Sequence, residues 1–218
     1  SYSSPAVWQI VVYIDDANNF YWPLLFAYSG KERDPRGGIE VLCYIDHSLQ
    51  FWTGFEELYH EYFAHIPIIL NGKAPQSILV LGAGDGFLVR ELLKHSEVGH
   101  IDLVDIDRSM IQLASQHPVF EHANQRALFD PRMTVMVGDA YDYIRTAKKK
   151  YDAIFMDFPA PVDFHLSRLY SKEFLVFVQQ RLKDDGFVAM NAPAVTRQAD
   201  DDVMLRYYRT AQAAGFQT

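Results

Sequence analysis

The fold is decided by the stretch from Ile78 to Asp107, which reads ILVLGAGDGFLVRELLKHSEVGHIDLVDID. The apolar segment from Ser77 to Leu81 predicts a buried strand of a parallel sheet, because such strands are covered on both faces. A glycine-rich turn follows, and Phe87 to Lys94 predicts a helix. A second apolar segment, from His100 to Val104, predicts the next strand. Strand, turn, helix and strand in this order indicate a nucleotide-binding βαβ unit.

The turn GAGDG and the acid that ends the second strand indicate which ligand binds. Gly82, Gly84 and Gly86 allow positive φ and a close approach of backbone amides to a ligand. Asp105 can accept hydrogen bonds from two ribose hydroxyls. Asp85 would repel a pyrophosphate but suits a cation, so S-adenosylmethionine or its decarboxylated form is favoured over a dinucleotide. The alternative is a tight strand-to-helix turn that binds no ligand.

The composition sets wider bounds on the function. With 218 residues, 49% of them hydrophobic, the chain is long enough for one α/β domain with a small appendage. The formal charge of −8 disfavours nucleic acid as the main partner, because phosphate contacts need basic patches. Cys43 is the single cysteine, which excludes an intrachain disulfide and favours a reducing, cytoplasmic compartment. The sequence shows no signal peptide and no segment apolar enough to span a membrane.

Two domains are predicted, residues 1–70 and residues 71–218. The first is a small antiparallel β module that ends in a linking helix from Glu56 to His65. The loop 71–76, NGKAPQ, contains glycine and proline and marks the boundary. The strands of the module are predicted at residues 7–14, 39–45 and 49–52.

Beyond residue 71, strands and helices alternate, which predicts a Rossmann-like, doubly wound parallel sheet. Ligands of such α/β folds bind at the carboxyl ends of the strands. Asp85, Asp105, Asp139 and Asp157 all fall near such ends. Like charges at one edge repel one another, so this convergence indicates a binding site. Further strands are predicted at 134–137, 151–156 and 187–191, and helices at 109–116, 141–147, 171–182 and 200–214.

His60, Glu61 and His65 show part of the spacing of a zinc-binding helix. A zinc site of that kind needs its second histidine at position 64, which is Ala64. Two imidazoles five residues apart diverge by about 140° around a helix. We therefore predict no metal cofactor.

Several motifs together resemble the polyamine aminopropyltransferases, the spermidine synthase family. The likeness covers roughly residues 40–195 and implies the class I methyltransferase-like form of the Rossmann fold. The motifs are the glycine-rich turn with its helix, the strand end VDID, GDAYDYI, the helix ELYHEYFAHIPI preceded by Gln50, and RLYSKEFLVFVQQRLKDDGFVAMN.

The resemblance implies binding of decarboxylated S-adenosylmethionine and transfer of its aminopropyl group to a small-molecule amine such as putrescine. The attacking amine must be neutral, so a carboxylate that accepts its proton is needed. The resemblance also implies a homo-oligomer. The implied roles are general base for Asp157, cofactor binding for Gln50, Gly82, Gly84, Asp85, Asp105, Asp139 and Ala140, and amine binding for Tyr59, His60 and Asp85.

Two departures from the family pattern bear on these expectations. The family's catalytic loop carries two acids three residues apart, but the second position here is Ala160, so the acceptor amine stays open. Asp163 and His165 are the candidates to replace it. The family also continues with two more strands beyond the position of Thr218, so the second domain is expected to be incomplete at its C-terminal end.

The segments YSSP, DFP and RLYSKEF most resemble a branch of the family in which this domain follows membrane helices. A membrane domain outside this chain, with membrane tethering, is therefore the alternative to a free cytoplasmic protein. Two other functions stay open as well. One is a methyltransferase that uses S-adenosylmethionine, although Asp85 disfavours the methionine carboxylate. The other is a non-catalytic nucleoside-binding homologue, which would suit Ala160 but would have no need of a base at Asp157.

Overall fold

The computed structural model of the chain describes residues 7–14, 20–28, 39–45, 48–161, 164–191 and 201–217. Its N-terminal part contains the strands β1 (Val7–Ile14), β2 (Phe20–Tyr28), β3 (Ile39–Ile45) and β4 (Ser48–Trp52). They form one sheet in the order β2-β1-β3-β4.

This sheet is mixed, which corrects the predicted antiparallel module. β2 pairs with β1, and β4 with β3, in antiparallel fashion, but β1 and β3 lie side by side in parallel. The cause is β2, which the sequence analysis did not predict. β2 pairs with one side of β1, so β3 pairs with the other side, where it runs parallel to β1. Pro23 interrupts the strand pattern of β2, and proline is tolerated in an edge strand, which is where β2 lies.

The helix α1 runs from Glu56 to Asn71 and leads from the N-terminal sheet to the rest of the chain. It is longer than the predicted Glu56–His65 because it continues through Pro67. Gly72, with φ of 71°, ends the helix in the left-handed conformation that glycine adopts without strain. The predicted loop therefore begins one residue later, and the boundary between two domains stays a prediction.

A larger sheet follows, and it is parallel throughout, with the order β7-β6-β5-β8-β9. From β5 the chain builds outward to one side through β6 and β7, and then to the other side through β8 and β9. The strand order therefore reverses between β5 and β8, and ligands of open α/β sheets bind at such a point. The strands are β5 (Ser77–Gly82), β6 (His100–Asp105), β7 (Met133–Val137), β8 (Tyr151–Asp157) and β9 (Leu182–Met190).

Both faces of the parallel sheet are covered, because alternate residues of a strand point to opposite faces. Ile78 and Val80 of β5 lie in one buried cluster, and Leu79 and Leu81 lie in another. The first cluster includes residues of α1, α2 and α3, and the second includes residues of α5 and α7. The predicted doubly wound arrangement is thus present. The remaining helices are α2 (Phe87–Leu92), α3 (Arg108–Gln116), α4 (Pro118–Ala123), α5 (Ala140–Thr146), α6 (Phe164–Ser167), α7 (Lys172–Gln180) and α8 (Asp201–Ala213).

The start of β9 differs from its prediction. The sequence predicts a helix to residue 182 and a strand from 187, because the segment Asp184-Asp185-Gly186 has the composition of a turn. In the structure α7 ends at Gln180, and β9 begins at Leu182, which pairs with Tyr151. The register shifts along this pairing, so the turn-like residues form an irregularity inside the strand.

Candidate active site

The glycine turn after β5 is held against the ends of two neighbouring strands. Gly82 has φ of 86°, and a Cβ there would lie 2.0 Å from the backbone oxygen of Asp157. The backbone N–H of Gly84 donates to Asp105 Oδ2 at 2.8 Å, and a Cβ on Gly84 would lie 2.7 Å from the same oxygen. Contacts within the protein therefore already require glycine at position 82, and a side chain at position 84 would displace the Asp105 carboxylate.

Asp105 ends β6 with both carboxylate oxygens engaged by backbone amides. Oδ2 accepts from Gly84, and Oδ1 accepts from the N–H of Asp107 at 2.7 Å. Burial raises the pKa of Asp105, the two backbone N–H groups oppose this shift, and the charges of Asp107 and Asp157 add to it. Each oxygen can accept more than one hydrogen bond, so the predicted ribose contact is compatible with this geometry. That role stays a prediction.

Asp85 lies in the turn itself and is oriented by the start of α2. Its Oδ1 accepts from the N–H of Phe87 at 2.9 Å, and its backbone oxygen accepts from Asn124 Nδ2 at 3.0 Å. Burial raises the pKa of Asp85, although the positive charge of His60 opposes the shift. The turn thus presents a fixed carboxylate whose ionised form would be favoured by a bound cation.

Asp157, at the end of β8, is the acid predicted to serve as general base. Its Oδ1 accepts from Tyr59 Oη at 2.7 Å and from Asn191 Nδ2 at 3.1 Å. Burial and the charge of Asp85 raise its pKa to about 6, against the lowering effects of the Tyr59 hydrogen bond and of His60. A carboxylate with a pKa near 6 is ionised at neutral pH and is a stronger base than an ordinary aspartate.

Tyr59 and His60 are adjacent on α1 but meet different partners. Tyr59 donates to Asp157, and burial and that neighbouring charge raise the pKa of its hydroxyl, so Tyr59 acts as a neutral donor. His60 is buried, and its Nδ1 lies 2.8 Å from both Oε2 and the backbone oxygen of Glu56. Burial opposes a charge on His60, but the Glu56 hydrogen bond and the charges of Asp85 and Asp157 raise its pKa above the ordinary value. The structure therefore brings both predicted residues to the acids.

Two residues that the sequence analysis did not single out complete this arrangement. Asn191 follows β9 and donates to Asp157 Oδ1, and also to the backbone oxygen of Phe158 at 2.9 Å. Glu56 opens α1 and accepts from Arg90 of α2 as well as from His60. The sequence contained one local indication of Glu56, its position four residues before His60, because residues four apart lie on the same face of a helix. Asn191 had no local signal.

Asp139 and Ala140 lie at the start of α5, after β7. Asp139 Oδ1 caps the helix by accepting from the N–H groups of Tyr141, at 2.8 Å, and Asp142, at 3.3 Å. Asp139 Oδ2 forms an ion pair with Arg168. Helix capping and this ion pair explain the carboxylate without a ligand, so contact of Asp139 and Ala140 with an adenine edge stays a prediction.

A family model described as the spermine/spermidine synthase domain matches residues 56–214. The chain belongs to this family. The resemblance inferred from the motifs is thereby confirmed.

Individual members of the spermine/spermidine synthase family agree with this assignment. Polyamine aminopropyltransferase 2 of Bacillus cereus is 41% identical over 157 residues, which make up 71% of this chain and 43% of that protein. Polyamine aminopropyltransferase 2 of Aquifex aeolicus is 34% identical over 181 residues, or 83% of this chain and 36% of that protein. The chain thus spans less than half the length of these curated relatives.

Solved structures of the family confirm the fold. A spermidine synthase in complex with the transition state analogue AdoDATO matches with a TM-score of 0.69 and 26% identity, over 95% of this chain and 71% of that one. Spermidine synthase from Thermotoga maritima matches with a TM-score of 0.67 and 26% identity, over 95% of this chain and 70% of that one. The predicted Rossmann-like, methyltransferase-like fold is therefore correct.

The loop after Asp157 carries the departure from the family pattern. Tyr170 Oη donates to the backbone oxygens of Phe158, at 3.2 Å, and Pro159, at 2.9 Å, and so holds the start of the loop. Ala160 is exposed. His165 is exposed on α6, and Asp163 lies outside the described residues. The structure thus leaves the replacement of the second loop acid open.

Three other observations concern Gln50, metal sites and membrane-spanning helices. Gln50 lies on β4, but its side chain is outside the described part of the chain. Across the described ranges, no group of three or more His, Cys, Asp or Glu side chains is arranged to hold a metal ion. None of the helices within those ranges is long and apolar enough to cross a bilayer.

Proposed function

We propose that this chain carries the catalytic centre of an aminopropyltransferase that uses decarboxylated S-adenosylmethionine and a small amine such as putrescine. The observation that carries the proposal is Asp157: a carboxylate with a pKa of about 6, oriented by Tyr59 and Asn191 at the point where the strand order reverses. Perturbed acids placed in this way are typical of catalytic sites.

Aminopropyl transfer needs a neutral amine nucleophile and a base that accepts its proton. The nitrogen of a neutral amine attacks the carbon next to the sulfonium, a C–N bond forms, and the C–S bond breaks, with its electron pair leaving on the sulfur of methylthioadenosine. The new secondary ammonium then loses a proton, and Asp157 is the acceptor we assign. Because free amines are protonated at neutral pH, a base beside the nucleophile keeps the reactive form available.

Asp85 supports the decarboxylated co-substrate over S-adenosylmethionine itself. The carboxylate of Asp85 would attract the aminopropyl ammonium and repel the methionine carboxylate. A methyltransferase of the same fold would have to place the methionine carboxylate of S-adenosylmethionine near this acid, where the two negative charges repel each other. Asp85 therefore favours aminopropyl transfer over methyl transfer.

Ala160 bears on the acceptor amine. In the family pattern the second loop acid is expected to hold a distal ammonium, and alanine offers no charge there. We therefore propose a small amine as the acceptor, with putrescine as an example of its class, and we expect a diamine to bind less tightly than it would opposite two acids. The family resemblance also supports a homo-oligomer and a cytoplasmic location as proposals, with tethering by a membrane domain outside this chain as the alternative.

The function is tested by calorimetric titration of the chain with decarboxylated S-adenosylmethionine, S-adenosylmethionine and methylthioadenosine, repeated with Asp85→Asn. We expect tighter binding of the decarboxylated form and loss of that preference in the variant. Asp184→Asn is the matched control, because Asp184 is an exposed aspartate on β9. Equal or tighter binding of S-adenosylmethionine would indicate methyl transfer, and absence of binding of all three would overturn the proposal.

A further inference from the structure

An ion-paired cluster of Glu56, Arg90 and Glu91 joins α1 to α2 and contacts His60. Both terminal nitrogens of Arg90 bond to the Glu56 carboxylate, Nη1 to Oε1 at 2.8 Å and Nη2 to Oε2 at 3.1 Å. Arg90 Nε also donates to Glu91 Oε1 at 2.8 Å. The exposed fractions of the Arg90 and Glu56 side chains are 5% and 3%. Burying such a pair costs desolvation energy that an apolar pair would not, so stability alone is a weak reason for it.

The cluster determines how His60 is protonated. His60 Nδ1 lies 2.8 Å from two oxygens of Glu56, the backbone oxygen and carboxylate Oε2. Both oxygens are acceptors, so Nδ1 must carry a proton in this arrangement. Nε2, at the opposite end of the ring, is therefore the nitrogen that gains or loses the second proton.

Charged groups from three elements act on His60. They are Glu56 of α1, Asp85 of the glycine turn and Asp157 at the end of β8, and all three favour the imidazolium. The effect is reciprocal, because the charge of His60 favours the ionised forms of both Asp85 and Asp157. Arg90, from α2, acts on Glu56 and lowers the pKa of that carboxyl together with His60, although burial opposes both.

We propose that Glu56 and Arg90 are positioning residues for the reaction. Arg90 fixes Glu56, Glu56 orients His60 with Nδ1 protonated and favours its imidazolium form, and the charge of His60 favours the ionised forms of Asp157 and Asp85. The catalytic consequence rests on the proposed function, but the protonation of His60 does not depend on any substrate. Glu56 thus sets the strength of the base without touching the reacting atoms.

The first test follows the imidazole of His60 by NMR titration of histidine-labelled chain without ligand. We expect His60 to titrate above its ordinary pKa of 6.5 in the wild type and at a lower pH in Glu56→Gln, which loses the carboxylate charge. Glu61→Gln is the matched control, since Glu61 is an exposed acid on the same helix, and it should leave His60 unchanged. A wild-type His60 that titrates at or below 6.5 would overturn the proposal even if Glu56→Gln failed to fold.

The second test measures methylthioadenosine release as a function of pH. In Glu56→Gln we expect the acidic limb of kcat/KM to move upward by about one unit, which is about a tenfold loss of rate below the limb. The rate on the alkaline plateau should stay within about twofold of the wild type, because Asp157 is ionised there in both proteins. A loss of equal size at every pH would show a merely structural role for Glu56. Absence of methylthioadenosine release by the wild type would overturn the proposed function while leaving the NMR result to stand by itself.

Discussion

Aspartates in the two halves of the parallel sheet differ in the groups that donate hydrogen bonds to them. In the amino-terminal half, Asp152 of β8 accepts from Lys183 Nζ at 3.0 Å and from Ser77 N and Oγ at 2.8 Å. Although burial opposes it, the hydrogen bonds from Lys183 and Ser77 lower the pKa of Asp152 to about 2. Asp102 of β6 similarly accepts from Lys149 Nζ at 2.6 Å and from Tyr151 Oη at 2.8 Å.

At the carboxyl end of the same strand β8, the donors to Asp157 are a tyrosine hydroxyl and an asparagine amide. Neither donor carries a charge, and burial with the neighbouring Asp85 raises the pKa of Asp157 to about 6. One strand therefore carries two aspartates whose pKa values shift in opposite directions. An aspartate paired with an ammonium is a weak base that stabilises the fold, whereas a buried aspartate with neutral donors is a stronger base that can accept a proton in a reaction.

The largest effect should come from Asp157→Asn. The amide keeps the shape and the acceptor oxygen but cannot take a proton, so kcat should fall by about 10²–10⁴-fold. Steady-state assay of methylthioadenosine release measures it, with thermal unfolding of the same sample to show that the variant folds. Asp184→Asn serves again as the control. A variant with more than a tenth of the wild-type kcat would rule out Asp157 as the base and would erase the contrast between the two ends of β8.

Asp102→Asn tests the other half of the contrast. The amide loses the charge that Lys149 meets and weakens the bond from buried Tyr151, so the free energy of unfolding should fall by about 2 kcal/mol. Urea denaturation measures the change. Ligand affinity should stay at the wild-type value. Asp142→Asn removes an exposed ion pair with Arg145 and should cost under about 1 kcal/mol.

Tyr59→Phe sharpens the contrast by removing one neutral donor. The Tyr59 hydrogen bond lowers the pKa of Asp157, so its loss should raise that pKa further. The acidic limb of kcat/KM should move upward by up to about one unit, which is up to about a fivefold loss of rate at pH 6 and approaches tenfold at lower pH. An unchanged limb would show that the Tyr59 hydroxyl does not tune the base.

The parts of this site that follow from local sequence were predictable. The glycine turn, Asp85 and the strand-end acids lie within one βαβ unit or follow a strand directly, so the pattern of short segments indicates them. The extent of α1 was less predictable, because Pro67 resembles a helix end but lies inside the helix. The strand β2 was missed for a related reason, since Pro23 obscures an edge strand.

The partners of the acids were harder to predict, because they come from distant parts of the chain. Asn191 lies 34 residues after Asp157 and reaches it only because β9 pairs with β8. Arg90 and Glu56 are likewise 34 residues apart and meet because α1 packs on α2. The hydrophobic periodicity of a single segment does not indicate contacts between residues that are far apart in the chain. The pKa shifts that distinguish the two halves of the sheet depend on these long-range partners, so the sequence indicated where the acids are but not how they differ.

The last predicted effect is on the pH dependence of stability, where the two aspartates of β8 should act with opposite sign. Asp152 has a folded pKa of about 2 against an ordinary 3.8, so its contribution is full above about pH 4 and is lost as the pH falls towards 2. Asp157 has a folded pKa of about 6 against 3.8, so its contribution is full below about pH 4 and is lost as the pH rises through 6.

Urea denaturation between pH 3 and 7 should therefore show Asp152→Asn less stable than the wild type by about 1 kcal/mol at neutral pH, with the deficit shrinking in acid. Asp157→Asn should instead gain about 2 kcal/mol relative to the wild type as the pH rises from 4 to 7. Parallel curves for the two variants would mean that the two ends of β8 do not differ in the way their donors indicate.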